Sequence, residues 1–368
     1  NTQASKAETA AQRGDMRTVY NAVKSLSGVQ ARPNLPVLAK DGCKIVDEEG
    51  RKKRWEEHFC EILNRPPPAH PLTETETAPQ VELDIGNVDA SPFTLAEING
   101  AIKGLKNGKA AGIDNLCAEL LKAGSREMTE WLLHLCNSAW EQEIVPQEWK
   151  KGIIVKLPKK GNLQDCNNWR GIVLLSIPEK VYTRMILWRI KKQVDAVLRE
   201  EQAGFRSGRS CTDQIFTLRR ILEQALEHKT PLIINFIDFE KAFDSLDRES
   251  LWKILAVYGI PPKYIRVISN LYEDSECCVK VENDHTQWFK ILTGVKQGCV
   301  LSPVLFGLAM DWLMRQTIGV ATRGLKWTGT QETLEDLDFA DDIALLSVSA
   351  EDMQLKTVDY MRWDRGLV

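Results

Sequence analysis

Two stretches in the second half of the chain run through apolar residues and meet acidic ones. Residues 232–237 lead into Asp238, and the pair Asp341-Asp342 lies between two apolar runs. The first pattern predicts a mostly buried strand that ends in an acid, and the second predicts a strand, a tight turn and a strand. Taken alone, the acidic pair is also typical of a solvated turn, and Asp238 of a helix cap or a loop.

Apolar residues at helical spacing predict several helices. Residues 47–63 are amphipathic, and residues 213–228 place their apolar side chains on one face. Thr94 opens the capping-box signature Thr-Leu-Ala-Glu, which starts a helix. Ser302 and the proline after it suit the cap and first turn of a helix over 304–314.

The chain divides into three regions. Residues 1–65 are predicted to be a helical N-terminal segment. Residues 66–92 contain six prolines and five acidic residues with no Lys or Arg, which predicts an extended, mobile linker. Residues 93–368 are predicted to form the main folded domain, and the 43% hydrophobic content of the chain is enough to build its core.

Charge is distributed unevenly. The whole chain carries a net charge of −3, but residues 150–192 contain eleven Lys or Arg and only two acids, a local excess of nine positive charges. Such a basic region indicates nucleic-acid binding, although a charge run is also typical of a solvated face. The apolar runs are shorter than the roughly 20 residues that a membrane span requires, and no secretory signal is visible.

Several other kinds of site are not supported. The nine cysteines show no paired spacing of the zinc-binding kind and no disulfide framework, and the five histidines are scattered. Adjacent Cys277 and Cys278 suggest thiols in a reducing compartment. The acidic residues are different, because two neighbouring carboxylates repel and usually need a cation. Asp238 beside Asp341 and Asp342 would form an oxygen-rich site suited to Mg²⁺, as in two-metal phosphoryl or nucleotidyl transfer.

Six blocks in a fixed order resemble the reverse transcriptase of non-LTR (LINE-type) retrotransposons, over residues 93–346. Besides the strand that leads into Asp238, they are Leu157-Pro158-Lys159-Lys160-Gly161, Asn168-Trp169-Arg170-Gly171-Ile172, Gln202-Ala203-Gly204-Phe205-Arg206, Gly294-Val295-Lys296-Gln297-Gly298-Cys299-Val300-Leu301-Ser302-Pro303 and Phe339-Ala340-Asp341-Asp342. The resemblance implies an α+β fold, the fingers and palm of a right-hand polymerase, with an antiparallel palm sheet packed on helices. It also implies an RNA-directed DNA polymerase that adds dNTPs to a DNA primer on an RNA template, with two Mg²⁺ ions or Mn²⁺ as a substitute.

The same resemblance implies roles for particular residues. The metal ligands would be Asp238, Asp341, Asp342 and the backbone of Phe239. The incoming nucleotide would contact Lys159 or Lys160, Arg170, Phe243, Gln297 and Gly298. Phe243 corresponds to the family's steric gate against a 2′-hydroxyl, although an ordinary core aromatic has the same pattern. The template would contact Gly204, Phe205, Arg206 and Arg209.

The last expectations concern what lies outside the matched blocks. Little chain follows Asp342, so the family's thumb and its upstream endonuclease are expected in a larger polyprotein, and this chain is expected to be truncated before the thumb. Two functions stay open: a reverse transcriptase domain, or a non-catalytic nucleic-acid-binding remnant that is inactive alone. The family implies an intracellular protein, in a cytoplasmic ribonucleoprotein and the nucleus.

Overall fold

The computed structural model describes residues 35–73, 88–282, 284–319, 322–326 and 333–367, together with Gly86 and a few positions before residue 19. Much of the first half of the predicted N-terminal helical segment therefore lies outside the described residues. The helices are α1 (Glu48–Leu63), α2 (Leu95–Lys103), α3 (Ala118–Ala123), α4 (Arg126–Gln142), α5 (Gln147–Lys150), α6 (Ile177–Val197), α7 (Cys211–Glu227), α8 (Ala242–Ser245), α9 (Arg248–Val257), α10 (Pro262–Tyr272), α11 (Ser302–Ile318) and α12 (Ala350–Asp364).

Two main sheets are interleaved with these helices. The strands are β1 (Val37–Leu38), β2 (Lys44–Ile45), β3 (Lys151–Pro158), β4 (Trp169–Leu174), β5 (Ile233–Ile237), β6 (Glu276–Val281), β7 (Asp284–His285), β8 (Phe289–Lys290), β9 (Leu325–Lys326), β10 (Thr333–Leu334), β11 (Asp336–Phe339) and β12 (Asp342–Ser347). One sheet has the order β11-β12-β5 and is antiparallel throughout. The other has the order β4-β3-β6-β7, with β8 also paired to β6 and a parallel pairing of β3 with β6.

This architecture confirms the predicted α+β class with an antiparallel sheet packed on helices. Helix α12 packs on β12 and β5 and also on α11, so the small sheet is covered by helices. Strand β12 is buried on both faces after Asp342, whereas β5 is only half-buried and its Phe236 side chain is 69% exposed. Asp238 follows β5 and Asp342 begins β12, so both lie at one edge of this sheet, whereas Asp336 and Asp338 are buried within β11.

The predicted helices are present, with two differences in detail. The capping box of Thr94 with Glu97 forms at the start of α2, as predicted. Ser302 does not cap α11 but is its first residue, and its hydroxyl donates to the Lys296 carbonyl. Along α7 only Ile221 is fully buried, so most of its apolar face is exposed rather than packed in a core.

Helix α1 and the ends of the predicted linker belong to the main core. The ring of Phe59 in α1 packs directly on Gly171 of β4, where an added Cβ would lie 2.6 Å from it. Trp55 makes an edge contact with Trp169, with ring centroids 5.7 Å apart. The linker residues Leu72 and Val88 are 3% and 5% exposed, so one residue anchors each described end of residues 66–92 in the core, while most of their neighbours are exposed. No helix of the described residues is long and apolar enough to span a bilayer.

Candidate active site

The hairpin of β11 and β12 presents the acidic pair at one edge of the small sheet. Phe339 pairs with Asp342, so Ala340 and Asp341 form the two-residue turn between the strands. Ala340 has a φ of 59°, in the left-handed region. The favoured two-residue hairpin turns have such a positive φ, because their twist matches the twist of the strands.

Strand pairing places the third carboxylate beside this hairpin. Ile343 of β12 lies opposite Ile237 of β5. The antiparallel register continued by one residue brings Asp238 opposite Asp342. Burial raises the pKa of Asp342, and the negative charges of Asp341 and Asp238 raise it further, as expected for three carboxylates that share one edge of a sheet.

The donor chemistry of this edge fits a hard divalent cation, because carboxylate oxygens are the ligands that Mg²⁺ prefers. Asp238 and Asp342 are exposed, and Asp341 is half-buried. Among the described residues, no three His, Cys, Asp or Glu side chains are close enough to hold a metal ion as they stand. The structure thus brings the three predicted acids to one place but leaves their side chains apart. Phe239 is half-buried and packs its ring on Tyr360 at 6.0 Å.

Phe243 lies between two other aromatic rings. It stacks on Phe306 of α11 with centroids 4.5 Å apart and an interplanar angle of 16°, and Phe205 meets it edge-on at 5.8 Å. Its carbonyl accepts from the Val295 amide at 2.7 Å. A ring packed against two other aromatic rings has little rotamer freedom, which suits a fixed wall beside a bound nucleotide.

The Gln297-Gly298 pair is fixed by protein contacts on both sides. The Gln297 side-chain amide donates to Asp244 at 2.9 Å, and burial raises the pKa of Asp244 to about 6. Gly298 has a φ of 138°, and a Cβ there would lie 2.3 Å from the Val173 carbonyl. Strand β4 of the protein therefore lies directly against this glycine, on the side where a Cβ would point.

The predicted basic residues lie on the β3–β4 hairpin. Lys159, Lys160 and Arg170 are exposed. Two further cations, which the sequence analysis missed, approach from other elements. Lys241 donates to Asn167 of this hairpin at 3.4 Å, and Arg65, which follows α1, donates to the Glu240 carbonyl at 3.4 Å.

The positive charges of this region repel one another, which is seen in the pKa of Lys241. Burial lowers the pKa of Lys241, and the charges of Arg65 and Lys159 also lower it, whereas Glu240 and Asp244 raise it. In the part of the chain that the structure describes, none of the five cations of this region forms an ion pair: Arg65, Lys159, Lys160, Arg170 and Lys241. Lys241 lies within the run from Phe239 to Asp244, so its position was a usable signal; Arg65 lay outside every recognised block.

The block predicted to contact the template has a different position. Gln202 and Gly204 pack against the Ala340 turn: the amide oxygen of Gln202 accepts from the Ala340 amide at 2.8 Å. A Cβ at Gly204 would lie 2.2 Å from that amide nitrogen. The predicted template contact of Gly204 is therefore not supported, because its open face is taken by the turn.

The two arginines of this block differ. The Arg206 guanidinium is buried; it pairs with Asp195 at 2.8 Å and donates to the carbonyls of Arg199, Gln202 and Asp195. The structure does not support its predicted phosphate contact, because four hydrogen bonds to protein oxygens already use most of its donors. Arg209 is exposed and pairs with Glu200, and Phe205 is 49% exposed. Of the four residues predicted to contact the template, Phe205 and Arg209 are the two that are exposed.

Comparison with known proteins identifies the family. Residues 157–364, more than half of the chain, match the family described as reverse transcriptase (RNA-dependent DNA polymerase). A probable RNA-directed DNA polymerase from transposon BS of Drosophila melanogaster is 31% identical over 241 residues, which are 64% of this chain and 26% of that protein. The Pol polyprotein of a type-1 R2 retrotransposable element from Popillia japonica is 29% identical, over 69% of this chain and 35% of that protein.

Another relative covers more of the chain. The uncharacterized 149 kDa protein of transposon TX1 from Xenopus laevis is 27% identical over 325 residues, which are 86% of this chain and 24% of that protein. The chain thus spans about a quarter to a third of the length of these relatives. Apo telomerase of Candida tropicalis aligns over 60% of this chain and 47% of that one, with 20% identity and a TM-score of 0.42. These relatives are named as proteins of transposons and retrotransposable elements, and the chain belongs to the reverse transcriptase family.

Proposed function

We propose that this domain is an RNA-directed DNA polymerase that joins dNTPs to a primer 3′-hydroxyl. The observation that carries the proposal is the strand register that brings Asp238 opposite Asp342, beside the turn that holds Asp341. Mg²⁺ held by Asp238 and Asp341, with Asp342 in support, would lower the pKa of the primer hydroxyl and stabilise the leaving pyrophosphate. The remaining groups of the site bind and select the nucleotide.

The cations around Lys241 supply the charge that a triphosphate requires. Arg65, Lys159 and Lys241 come from three separate elements, and no carboxylate neutralises any of them by an ion pair among the described residues. Unpaired positive charges that lie near one another repel, so an anion between them is stabilising. The site next to Asp238 therefore favours the phosphate end of the nucleotide.

Lys159 should contribute more to nucleotide binding than its neighbour Lys160. The charge of Lys159 acts on both Lys241 and Asp244, and Lys160 is not among the main influences on either. Loss of a charged hydrogen bond costs about 1.5–3 kcal/mol, so Lys159→Met should raise the KM for dTTP by roughly 10-fold or more. Lys160→Met is the matched control and should change KM less than about threefold. Equal effects in steady-state primer extension would contradict the assignment.

Phe243 should select deoxynucleotides. Its ring is held by Phe306 and Phe205, so it cannot swing away from a 2′-hydroxyl. We expect Phe243→Ala to raise the ratio of UTP to dTTP incorporation by at least about 10-fold, since steric exclusion of one oxygen is worth about 1–3 kcal/mol. Phe216→Ala, which removes a 63% exposed ring from α7, is the control. An unchanged ratio in Phe243→Ala would remove the gate assignment.

The function itself is tested by primer extension. The wild-type chain should extend a labelled oligo(dT) primer on poly(rA) with dTTP and Mg²⁺, and EDTA should abolish the reaction. Binding of the primer-template in a gel-shift assay without any extension, at all Mg²⁺ and Mn²⁺ concentrations, would favour the non-catalytic nucleic-acid-binding function instead.

A further inference from the structure

The side chain of Gln202 hydrogen-bonds to the backbone of Ala340 in the acidic turn, the two-residue turn Ala340-Asp341 between β11 and β12. Its side chain is 1% exposed, and its amide oxygen accepts from the backbone amides of Ala340 at 2.8 Å and Gly204 at 2.7 Å. Its amide nitrogen donates to the Ala340 carbonyl at 3.3 Å. The two backbone donors fix which end of the side chain carries the oxygen.

The surrounding chain makes this contact part of the sheet edge. Ala203 donates to the Asp338 carbonyl at 2.9 Å, and Asp338 donates to the Glu201 carbonyl at 3.1 Å, so residues 201–203 pair with strand β11. Gly204 lies directly against the turn: a Cβ added at Gly204 would be 2.2 Å from the Ala340 backbone nitrogen. Only a glycine leaves room for this approach.

The turn needs such support because its conformation is strained. Ala340 is an L-residue at a φ of 59°, in the left-handed region that non-glycine residues adopt only at a cost in free energy. Conformations of this kind persist only where the surroundings determine them. Gln202 satisfies both the N–H and the C=O of this one residue, and Asp341 and Asp342 follow it directly.

We propose that Gln202 is a positioning residue for the metal-binding carboxylates. By fixing the Ala340 peptide it sets the direction in which Asp341 and Asp342 leave the turn, and so their approach to Asp238. The inference rests on the proposed function, because it assigns the turn to cation binding. It gives the Gln202-to-Gly204 block a role in the palm, under the acidic turn, in place of a template contact.

The test measures cation binding directly. Mn²⁺ is titrated into each purified, folded variant, and free Mn²⁺ is followed by its EPR signal. Gln202→Met keeps the volume of the side chain but removes the three hydrogen bonds to the turn and to Gly204, so the apparent Kd for Mn²⁺ should rise by roughly 10-fold. Asp341→Asn should remove the same binding event, which identifies the site.

Gln214→Met is the matched control for a purely structural role. The Gln214 amide donates to the carbonyls of Glu201 at 2.7 Å and Asp338 at 3.1 Å, so it braces the same edge without touching the turn. It should lower thermal stability and leave the Kd for Mn²⁺ unchanged. If Gln202→Met fails to fold, Gln202→Asn, with an amide one methylene too short to reach Ala340, should weaken Mn²⁺ binding in the same direction.

The outcomes separate the two levels of the proposal. Wild-type binding that depends on Asp341, with an unchanged Kd in both Gln202 variants, would overturn the positioning role and leave the proposed function intact. Equal weakening in Gln202→Met and Gln214→Met would also overturn it, because the effect would then be general loosening. Absence of any Asp341-dependent Mn²⁺ binding in the wild type would overturn the proposed function together with the inference.

Discussion

Arg199→Met should destabilise the protein by about 3–5 kcal/mol, the cost of leaving buried charges without their partner. The Arg199 guanidinium binds Asp336 at 3.0 and 2.8 Å and Asp338 at 2.6 Å, and its backbone amide donates to Asp311 at 2.8 Å. The side chains of all three aspartates are fully buried. Methionine fills a similar volume but returns none of the charge.

The buried ion-pair network around Arg199 lies next to the strand that leads into the Ala340-Asp341 turn. Asp336 and Asp338 belong to β11, and Arg315 and the Tyr258 hydroxyl satisfy the second oxygen of Asp311. Burial raises the pKa of Asp338 well above its usual range, and the charge of Asp336 raises it further, while Arg199 opposes the shift. One arginine thereby ties the end of α6 and helix α11 to the strand that leads into the active site.

The measurement is urea unfolding followed by circular dichroism. Arg209→Met is the control, since Arg209 forms an exposed pair with Glu200 in the same region and should cost no more than about 1 kcal/mol. Equal midpoints for the wild type and Arg199→Met would show that the buried carboxylates do not depend on this arginine.

Asp238→Asn should lower the rate of dTTP incorporation by about 10³-fold or more. Asparagine keeps the shape and one acceptor oxygen but removes the charge that a hard divalent cation needs. Catalysis by a bound cation lowers the barrier by several kcal/mol, and each 1.36 kcal/mol is about tenfold in rate. Asp342→Asn should cost less, about 10- to 100-fold, because the resemblance assigns Asp342 a supporting role.

The comparison is made by single-turnover primer extension at saturating Mg²⁺. Glu240→Gln is the matched control, because Glu240 is an exposed acid two residues from Asp238. Its charge raises the pKa of Lys241 and is not among the charges that raise the pKa of Asp342. A similar loss of rate in Glu240→Gln and Asp238→Asn would mean that general charge, rather than one metal ligand, carries the effect.

The sequence was informative where local pattern determines geometry. The strand before Asp238 and the hairpin around Asp341 follow from continuous apolar runs and turn chemistry, and the sheet places both as predicted. The capping box at Thr94 forms for the same local reason. The family could also be recognised, because six blocks kept their order along the chain.

Contacts between distant residues could not be read from local pattern. Gln202 reaches Ala340 across 138 residues, and the inward turn of Arg206 depends on Asp195 and three carbonyls of folded backbone. A basic residue beside a glycine has the same local sequence whether it binds phosphate or its own loop. Arg65 was missed because it lies outside the recognised blocks and meets Glu240 only after α1 packs on β4.

The most direct test of the account compares the wild-type chain with Asp341→Ala on poly(rA)/oligo(dT), with dTTP and Mg²⁺ and with equal amounts of folded protein. The wild type should extend the primer, and Asp341→Ala should bind the same primer-template but extend it at least about 10³-fold more slowly, since the turn keeps its fold and loses a metal ligand. Equal extension by the two proteins would contradict the assignment of the acidic edge as the polymerase site.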